Sequence, residues 1–314
     1  MFEHRVAKLT AGAAFLLLVI GGMVNATGSS LACPEAWFVC KKSMLPEMTG
    51  GVLYEHGHRL FAMTVGTLQI VLTTYLAIKR PDLRRLGFLL MGWVILQGVF
   101  GATTVHYKLL WYVSSTHLLF GMSYFAMLVY TVFRTRPAPS ALELERSESL
   151  RAEVGSARTW IAVACGAVFV QLLLGALVRH LGATLACIGL PACTPTGDWF
   201  PAEWLPRLHM IHRGFGVVVA IVTTIAAVVV YRRTRAWPQL HLLALIAPVL
   251  VVAQVALGIT VVATMRAVPI AVLHFAGAAS LWAVWMYAWL LSGRRVKQVI
   301  VERVELPGAI AVPS

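Results

Sequence analysis

The sequence predicts an all-α integral membrane protein with eight transmembrane helices, arranged as two repeated four-helix bundles. Hydrophobic residues make up 59% of its 314 positions and charged residues only 12%, and the mean hydropathy is +0.78. Soluble globular domains are far more polar than this. Apolar stretches of roughly 20 residues, the length that crosses a bilayer, occur at 9–28, 59–78, 87–105, 114–133, 159–180, 210–231, 241–262 and 270–291.

The first stretch raises the question of a cleaved signal peptide. It is longer than the hydrophobic segment of such a peptide, and its last residues recur later in the chain. We therefore interpret it as the first transmembrane helix.

The second half of the chain repeats the first. The motif Gly-x-x-Val-x-x-x-Gly-x-x-Leu-Ala-Cys begins at Gly21 and again at Gly175, and a His-Arg pair recurs at the same spacing of 154 residues. Gln-x-x-x-Gly-x-Thr begins at Gln97 and again 157 residues later at Gln254. A repeat of four helices gives both halves the same membrane orientation. The predicted units are an N-terminal bundle at 1–133, a linker at 134–158, a C-terminal bundle at 159–293 and a tail at 294–314.

The positive charges indicate the orientation. The net charge is +13, and most cations fall on one side of the predicted helices. By the positive-inside rule that side is cytoplasmic, and we expect both termini there, in a cell membrane whose anionic lipids attract the cations. These segments are the N-terminal tail, 79–85, the linker, 232–235 and the C-terminal tail.

Four of the ten histidines share one depth, at the outer ends of helices two, four, six and eight: His58, His117, His212 and His274. A buried imidazole is costly unless it is hydrogen-bonded or binds a metal. Two histidines on facing helices of a bundle can provide both axial ligands of a heme iron. We predict one heme per half, held by His58 with His117 and by His212 with His274. Hemes that bridge the halves, or histidines that bind only water and lipid headgroups, are the alternatives.

Other polar residues near these positions have two interpretations each. Arg59 and Arg213 directly follow a predicted ligand, where a guanidinium can pair with a heme propionate or extend to the lipid headgroups. The remaining histidines are expected to be structural or solvated: His4, His56, His106, His180, His209 and His241.

Each of two matching outer loops contains one cysteine pair: Cys33 with Cys40, and Cys187 with Cys193. The outer compartment is oxidising, so we expect one disulfide per loop. The disulfides are either structural or redox-active. Cys165, in the middle of helix five, is expected to be an inert apolar residue.

Glu55 distinguishes the two halves, because the matching position three residues before His212 is His209. Positions i and i+3 share a helix face, so Glu55 would face the same pocket as His58. A carboxylate there can accept a proton or stabilise positive charge. The alternative is a solvated acid at a helix start.

Taken together, these residues resemble the heme A synthases of the cytochrome oxidase assembly pathway. The resemblance covers nearly the whole chain, and the paired cysteines match the bacterial form of that family. Its motifs are Glu55-x-x-His58-Arg59, Ser115-Thr116-His117, His212-Arg213 and Leu273-His274. His56 departs from the family pattern and leaves open which imidazole binds the iron, although the repeat favours His58.

The resemblance implies an oxidoreductase that converts the C8 methyl group of heme O to a formyl group, giving heme A. It implies that the first half holds the substrate heme and that the second holds a permanent heme b that relays electrons. It also implies, as partners, the farnesyltransferase that makes heme O and an unidentified electron acceptor. Glu55 would then be the catalytic residue.

Two other functions fit parts of the pattern. A di-heme b-type cytochrome for quinol-linked electron transfer would use the same four histidines but would not need Glu55. A membrane transporter built from parallel repeats would be expected to have a charged residue in the middle of a span, and the predicted spans have no Asp, Glu or Lys there.

Overall fold

The computed structural model describes residues 1–35, 39–137, 141–235 and 237–293, with only the backbone described at 141–154 and at 156. Within these residues the chain forms eight long α-helices, and each includes a stretch long and apolar enough to cross a membrane. The predicted fold class is confirmed, and the protein is a multi-pass membrane protein. The helices are α1 (Phe2–Ala26), α2 (Gly50–Lys79), α3 (Arg84–His106), α4 (Trp111–Thr135), α5 (Ala141–His180), α6 (Trp204–Arg233), α7 (Pro238–Ala263) and α8 (Val268–Ser292).

Helix α5 is longer than its predicted span. It begins at Ala141, so most of the predicted linker 134–158 is helix continuous with the transmembrane segment. The sequence after Pro139 is rich in Ala, Leu, Glu and Arg and has no further proline before the span. These residues favour helix even when they are too polar to enter the bilayer. The predicted tail, 294–314, lies outside the described residues.

The helices pack in two rings. In the first, α1 contacts α2 and α4, and α3 contacts α2 and α4; in the second, α5 contacts α6 and α8, and α7 contacts α6 and α8. Contacts of α1 with α8, and of α4 with α5 and α8, join the rings. This packing is what two bundles of four helices require, while the duplication itself stays a prediction from the sequence.

The turns between α3 and α4 and between α7 and α8 share an unusual backbone. Lys108 and Leu109 have φ angles of 49° and 64°, and Met265 and Arg266, 157 residues later, have φ angles of 50° and 68°. Consecutive non-glycine residues in the left-handed region are uncommon. The two turns therefore reverse the chain direction with the same backbone conformation.

Buried side chains fill the interior of each ring. Leu72, Leu90 and Leu128 belong to a cluster within α1–α4, whereas Trp282 and Trp285 belong to a second cluster built mainly from α5–α8. Many large apolar side chains remain exposed on the outer faces of the helices. Exposure of this kind suits helices whose outer faces contact lipid.

Candidate functional site

Each predicted histidine ligand lies against a glycine of the preceding helix. A Cβ atom built on Gly21 of α1 would lie 3.1 Å from Cε1 of His58, and one on Gly101 of α3 would lie 3.2 Å from Cε1 of His117. The second half repeats these contacts at 3.3 Å, between Gly175 and His212 and between Gly258 and His274. Glycine lets each imidazole lie this close to the helix backbone, and even a Cβ atom there would require the ring to shift slightly.

One ring nitrogen of each of these histidines is buried without a partner among the described residues. In His58, His117, His212 and His274 this atom is Nδ1. A buried polar atom without a partner is costly. Four such atoms at matching positions indicate a site built to bind another group.

The members of each predicted pair lie on helices of the same ring, His58 and His117 on α2 and α4 and His212 and His274 on α6 and α8. His58 of α2 is close enough to His117 of α4 to interact with it electrostatically, and His212 of α6 interacts in the same way with His274 of α8. Glutamine side chains on neighbouring helices hydrogen-bond to the backbone of two of these histidines. Gln97 donates to the carbonyl of His117 and Gln171 to the carbonyl of His212, both at 3.0 Å.

The first outer loop is closed by a disulfide between Cys33 and Cys40. Arg59, one residue after His58, donates to the carbonyl oxygens of Glu35 (2.7 Å), Val39 (3.0 Å) and Cys33 (3.0 Å). One guanidinium thus gathers both ends of the loop over the outer end of α2.

Glu55 joins the same network. Its side chain is buried, with Oε1 2.6 Å from Nη2 of Arg59 and Oε2 accepting the backbone N–H of Cys33 at 2.8 Å. The ion pair follows from the i,i+4 spacing on one helix. Glu55 is therefore not the solvated helix-start acid that was the alternative interpretation.

The second outer loop has the same kinds of contact as the first, except that a histidine replaces the glutamate. A disulfide joins Cys187 and Cys193, and Arg213 donates to the carbonyls of Cys187 (2.6 Å) and Gly189 (2.7 Å). Nδ1 of His209 accepts the backbone N–H of Cys187 at 3.3 Å. A neutral imidazole therefore takes the place that the Glu55 carboxylate has in the first half. Both predicted disulfides are confirmed.

The network around Arg59 and Arg213 was not predicted from the sequence. Backbone carbonyls have no sequence signature, so the arginines could be related only to a propionate or to lipid headgroups. Their pairing with a heme propionate stays a prediction. The role of His209 had one signal, namely that it stands where Glu55 stands in the first half.

His56, the departure from the family pattern, points away from the pocket of His58. Its ring is fully buried, Nε2 donates to the carbonyl of Met44 at 3.0 Å, and one ring nitrogen lies within 4.8 Å of both sulfurs of the first disulfide. His58 instead packs on α1. The geometry thus favours His58 over His56 as the ring in the pocket.

The carboxylate of Glu35 orders the first loop from outside. It accepts the backbone N–H groups of Lys41 (2.8 Å) and Lys42 (3.1 Å). Together with its own backbone N–H, these donors hold the pKa of Glu35 below the usual value.

The other histidines and the free cysteine have contacts of their own. His4 is 3.3 Å from the hydroxyl of Thr135, His180 is 3.0 Å from the hydroxyl of Ser115, and His241 stacks on Tyr231. His106 lies edge-on to Tyr107, and Cys165 is a half-buried free thiol in α5.

Comparison with known proteins gives one consistent family. The family model described as COX15-CtaA, cytochrome oxidase assembly protein, matches residues 4–286. Similar proteins include the heme A synthases of Bacillus licheniformis, 26% identical over 93% of this chain and 96% of the relative, and of Geobacillus kaustophilus, 27% identical over 98% and 96%. The heme A synthase of Symbiobacterium thermophilum is 29% identical over 81% of this chain and 84% of its own.

Proposed function

This chain belongs to the COX15-CtaA family of cytochrome oxidase assembly proteins, and we propose that it acts as a heme A synthase. The reaction is oxidation of the C8 methyl group of heme O to a formyl group, which gives heme A. One observation supports this most directly: four matched histidines meet in two pairs, each ring lying against a glycine with its Nδ1 unpartnered.

The donor set fits heme in both halves. Neutral imidazoles on facing helices are axial ligands for heme iron. We assign His58 and His117 to heme O in the first half, and His212 and His274 to a resident heme b in the second. When bound, heme b would supply a redox centre that relays electrons to an acceptor whose identity is open.

The carboxylate of Glu55 supports placing the chemistry in the first half. Conversion of a methyl to a formyl group removes protons as well as electrons, so a base near the reacting carbon is useful. Glu55 stands three residues before His58 and is buried, which strengthens its electrostatic effect. The second half has His209 at the matching place. Arg59 holds the Glu55 carboxylate in place through an ion pair of 2.6 Å.

Heme O has a farnesyl tail and two propionates. Its source would be the farnesyltransferase that makes it, which we propose as a functional partner in the same membrane. The tail would lie between the helices and lipid, while the histidines lie near the outer ends of the helices.

The test is heme extraction from cells that express this chain with and without the farnesyltransferase. Heme A should form only when both are present, and a His117→Ala variant should form none. Purified protein that carries only heme b, with no heme A in the cells that express both enzymes, would instead indicate a di-heme cytochrome. Protein without a Soret band would contradict both functions.

A further inference from the structure

Two arginines lie between the halves at their outer ends. Arg179 is the penultimate residue of α5, and Arg266 lies in the turn between α7 and α8. Both guanidinium groups reach the last turns of α1, where Arg179 donates to the carbonyl of Gly22 and Arg266 to the carbonyl of Ala26, four residues later. Within the described part of the chain, neither forms a salt bridge with a carboxylate. Two neighbouring cations without a counter-ion require an anion or costly solvation.

Their present contacts are weak. Nη2 of Arg179 donates to the carbonyls of Gly22 (3.2 Å) and Gly21 (3.4 Å), and its Nε is buried without a partner. The guanidinium lies 5.4 Å from the centre of the Phe275 ring. Nη2 of Arg266 donates to the carbonyl of Ala26 at 3.4 Å. These bonds are longer than the usual range for charge-assisted hydrogen bonds.

The hydrogen bonds of both arginines go to α1 of the first half, while Phe275, next to Arg179, follows His274 of the second half. Gly21, whose carbonyl Arg179 reaches, is the glycine that packs on His58. The neighbouring His180 is 3.0 Å from Ser115, two residues before His117, and interacts electrostatically with His117. Arg179 therefore borders α1, which packs on His58, and its neighbour His180 borders α4, which carries His117.

The repeat does not reproduce this cluster. The position 154 residues before Arg179 is Asn25, and the position 157 residues before Arg266 is Leu109. The neighbouring Lys108 is exposed. The second half thus places two cations beside the first half, whereas the first half has no cation at the matching positions. Such a difference is expected if the two halves bind hemes with different demands.

We propose that Arg179 and Arg266 bind the two propionate carboxylates of the heme that we assign to His58 and His117, in place of the pairing with Arg59 that the sequence suggested, because Arg59 binds loop carbonyls and Glu55. This inference rests on the proposed function and adds the residues that orient the substrate. Guanidinium groups pair with carboxylates through two parallel hydrogen bonds. Propionates held at the interface between the halves would fix the orientation of the porphyrin ring. The ring could then neither rotate about the iron axis nor move away from the resident heme. A lipid phosphate has similar chemistry, and the experiment separates the two.

The experiment compares a heme that has carboxylates with one that lacks them. Full-length protein from cells without the farnesyltransferase, retaining its resident heme, is titrated in neutral detergent with protoheme and with protoheme dimethyl ester. Binding is followed by the Soret difference absorbance. Wild-type protein should bind protoheme roughly a hundredfold more tightly than the ester, because each of the two arginine–carboxylate pairs is expected to contribute roughly tenfold. Arg179→Gln and Arg266→Gln should each lower protoheme affinity roughly tenfold and leave ester affinity unchanged.

Arg207→Gln is the matched control, since Arg207 lies on the same outer face and binds only the carbonyls of Pro201 and Ala202. It should alter neither affinity. Equal weakening of both ligands by Arg179→Gln would assign the arginine to packing and overturn the proposal, as would equal binding of ester and protoheme by wild type. A further arm adds phosphatidylglycerol: if the arginine variants lose lipid binding but keep protoheme affinity, the cluster is a lipid site. His117→Ala tests the heme site itself, and unchanged protoheme binding there would contradict the proposed function instead.

Discussion

Glu55 and His209 are equivalent residues with different charge. Both accept the N–H of the first cysteine in their loop. Glu55→Gln keeps an oxygen for the Cys33 amide but removes the negative charge beside Arg59. We expect a folded, heme-containing protein whose extracted pigment is heme O or a hydroxylated intermediate, with little heme A, as measured by chromatography of acid-extracted heme.

His209→Gln is the control for Glu55→Gln, because it changes the same loop contact in the other half. It should leave heme A formation near the parent rate. If Glu55→Gln also makes heme A at the parent rate, the carboxylate serves only to anchor the loop, and the assignment of the catalytic half loses its support.

The four histidines should act as two independent pairs. His212→Ala or His274→Ala should remove the second-half heme and leave the first half able to bind heme O, because each pair interacts within its own bundle. The measurement is heme per protein, by pyridine hemochrome. Loss of both hemes from either single change would indicate hemes that bridge the halves.

At the residue scale, the sequence was informative where chemistry recurs in both halves. The repeat predicted equivalent places for His58 and His212, and each lies against a glycine of the preceding helix, while iron ligation by either stays a prediction. The contact of Glu55 with Cys33 could not be predicted, because a backbone N–H leaves no mark in a sequence. His56 was ambiguous for a related reason: adjacent helix positions differ in direction by about 100°, and only the packing of α2 decides which one faces the pocket.

At the scale of the helix, the contact between each glycine and its histidine can be tested by substitution. Gly175→Ala would place Cβ 3.3 Å from Cε1 of His212 and tilt the ring. An off-rotamer side chain costs about 0.5–1.5 kcal/mol, so heme b affinity should fall roughly two- to tenfold. Heme retention during dilution measures it.

Gly166→Ala is the matched control on the same helix, since a Cβ there meets nothing within 4 Å. It should keep heme b and gain slightly in stability, because alanine favours helix over glycine. Equal heme loss in the two variants would show that the histidine contact is not the cause.

The two disulfide loops test whether similar elements have similar roles. Each bridge should contribute about 2 kcal/mol by restricting the unfolded chain, so Cys33→Ala and Cys187→Ala should lower the thermal midpoint alike. We expect Cys33→Ala to lower heme A formation more than Cys187→Ala does. Glu55 accepts the backbone N–H of Cys33, and this N–H moves away from the carboxylate when the loop opens. Equal losses of activity would favour a purely structural role for both bridges.

At the scale of the molecule, the eight spans followed from hydropathy, but two features did not. Helix α5 continues from Ala141 because helix propensity acts outside the bilayer as well as inside it. The contacts of α1, α4 and α5 that join the bundles, and with them the Arg179 and Arg266 cluster, depend on how two amphipathic surfaces meet. A sequence repeat predicts the helices of each bundle but not how the two bundles pack against each other.

The orientation of the whole molecule can be tested from two opposite ends. The disulfide loops, Cys33–Cys40 and Cys187–Cys193, lie at one end of the helices, and the cationic turns 79–85 and 232–235 lie at the other. Disulfides persist in an oxidising compartment and cations stay in the cytoplasm, so the two signals agree. Alkaline phosphatase inserted at Gly197 should be active, and green fluorescent protein fused after Ser314 should fluoresce. An active phosphatase at Ser314 would reverse the orientation and place the heme ligands near the cytoplasmic face, where the cysteines would be reduced.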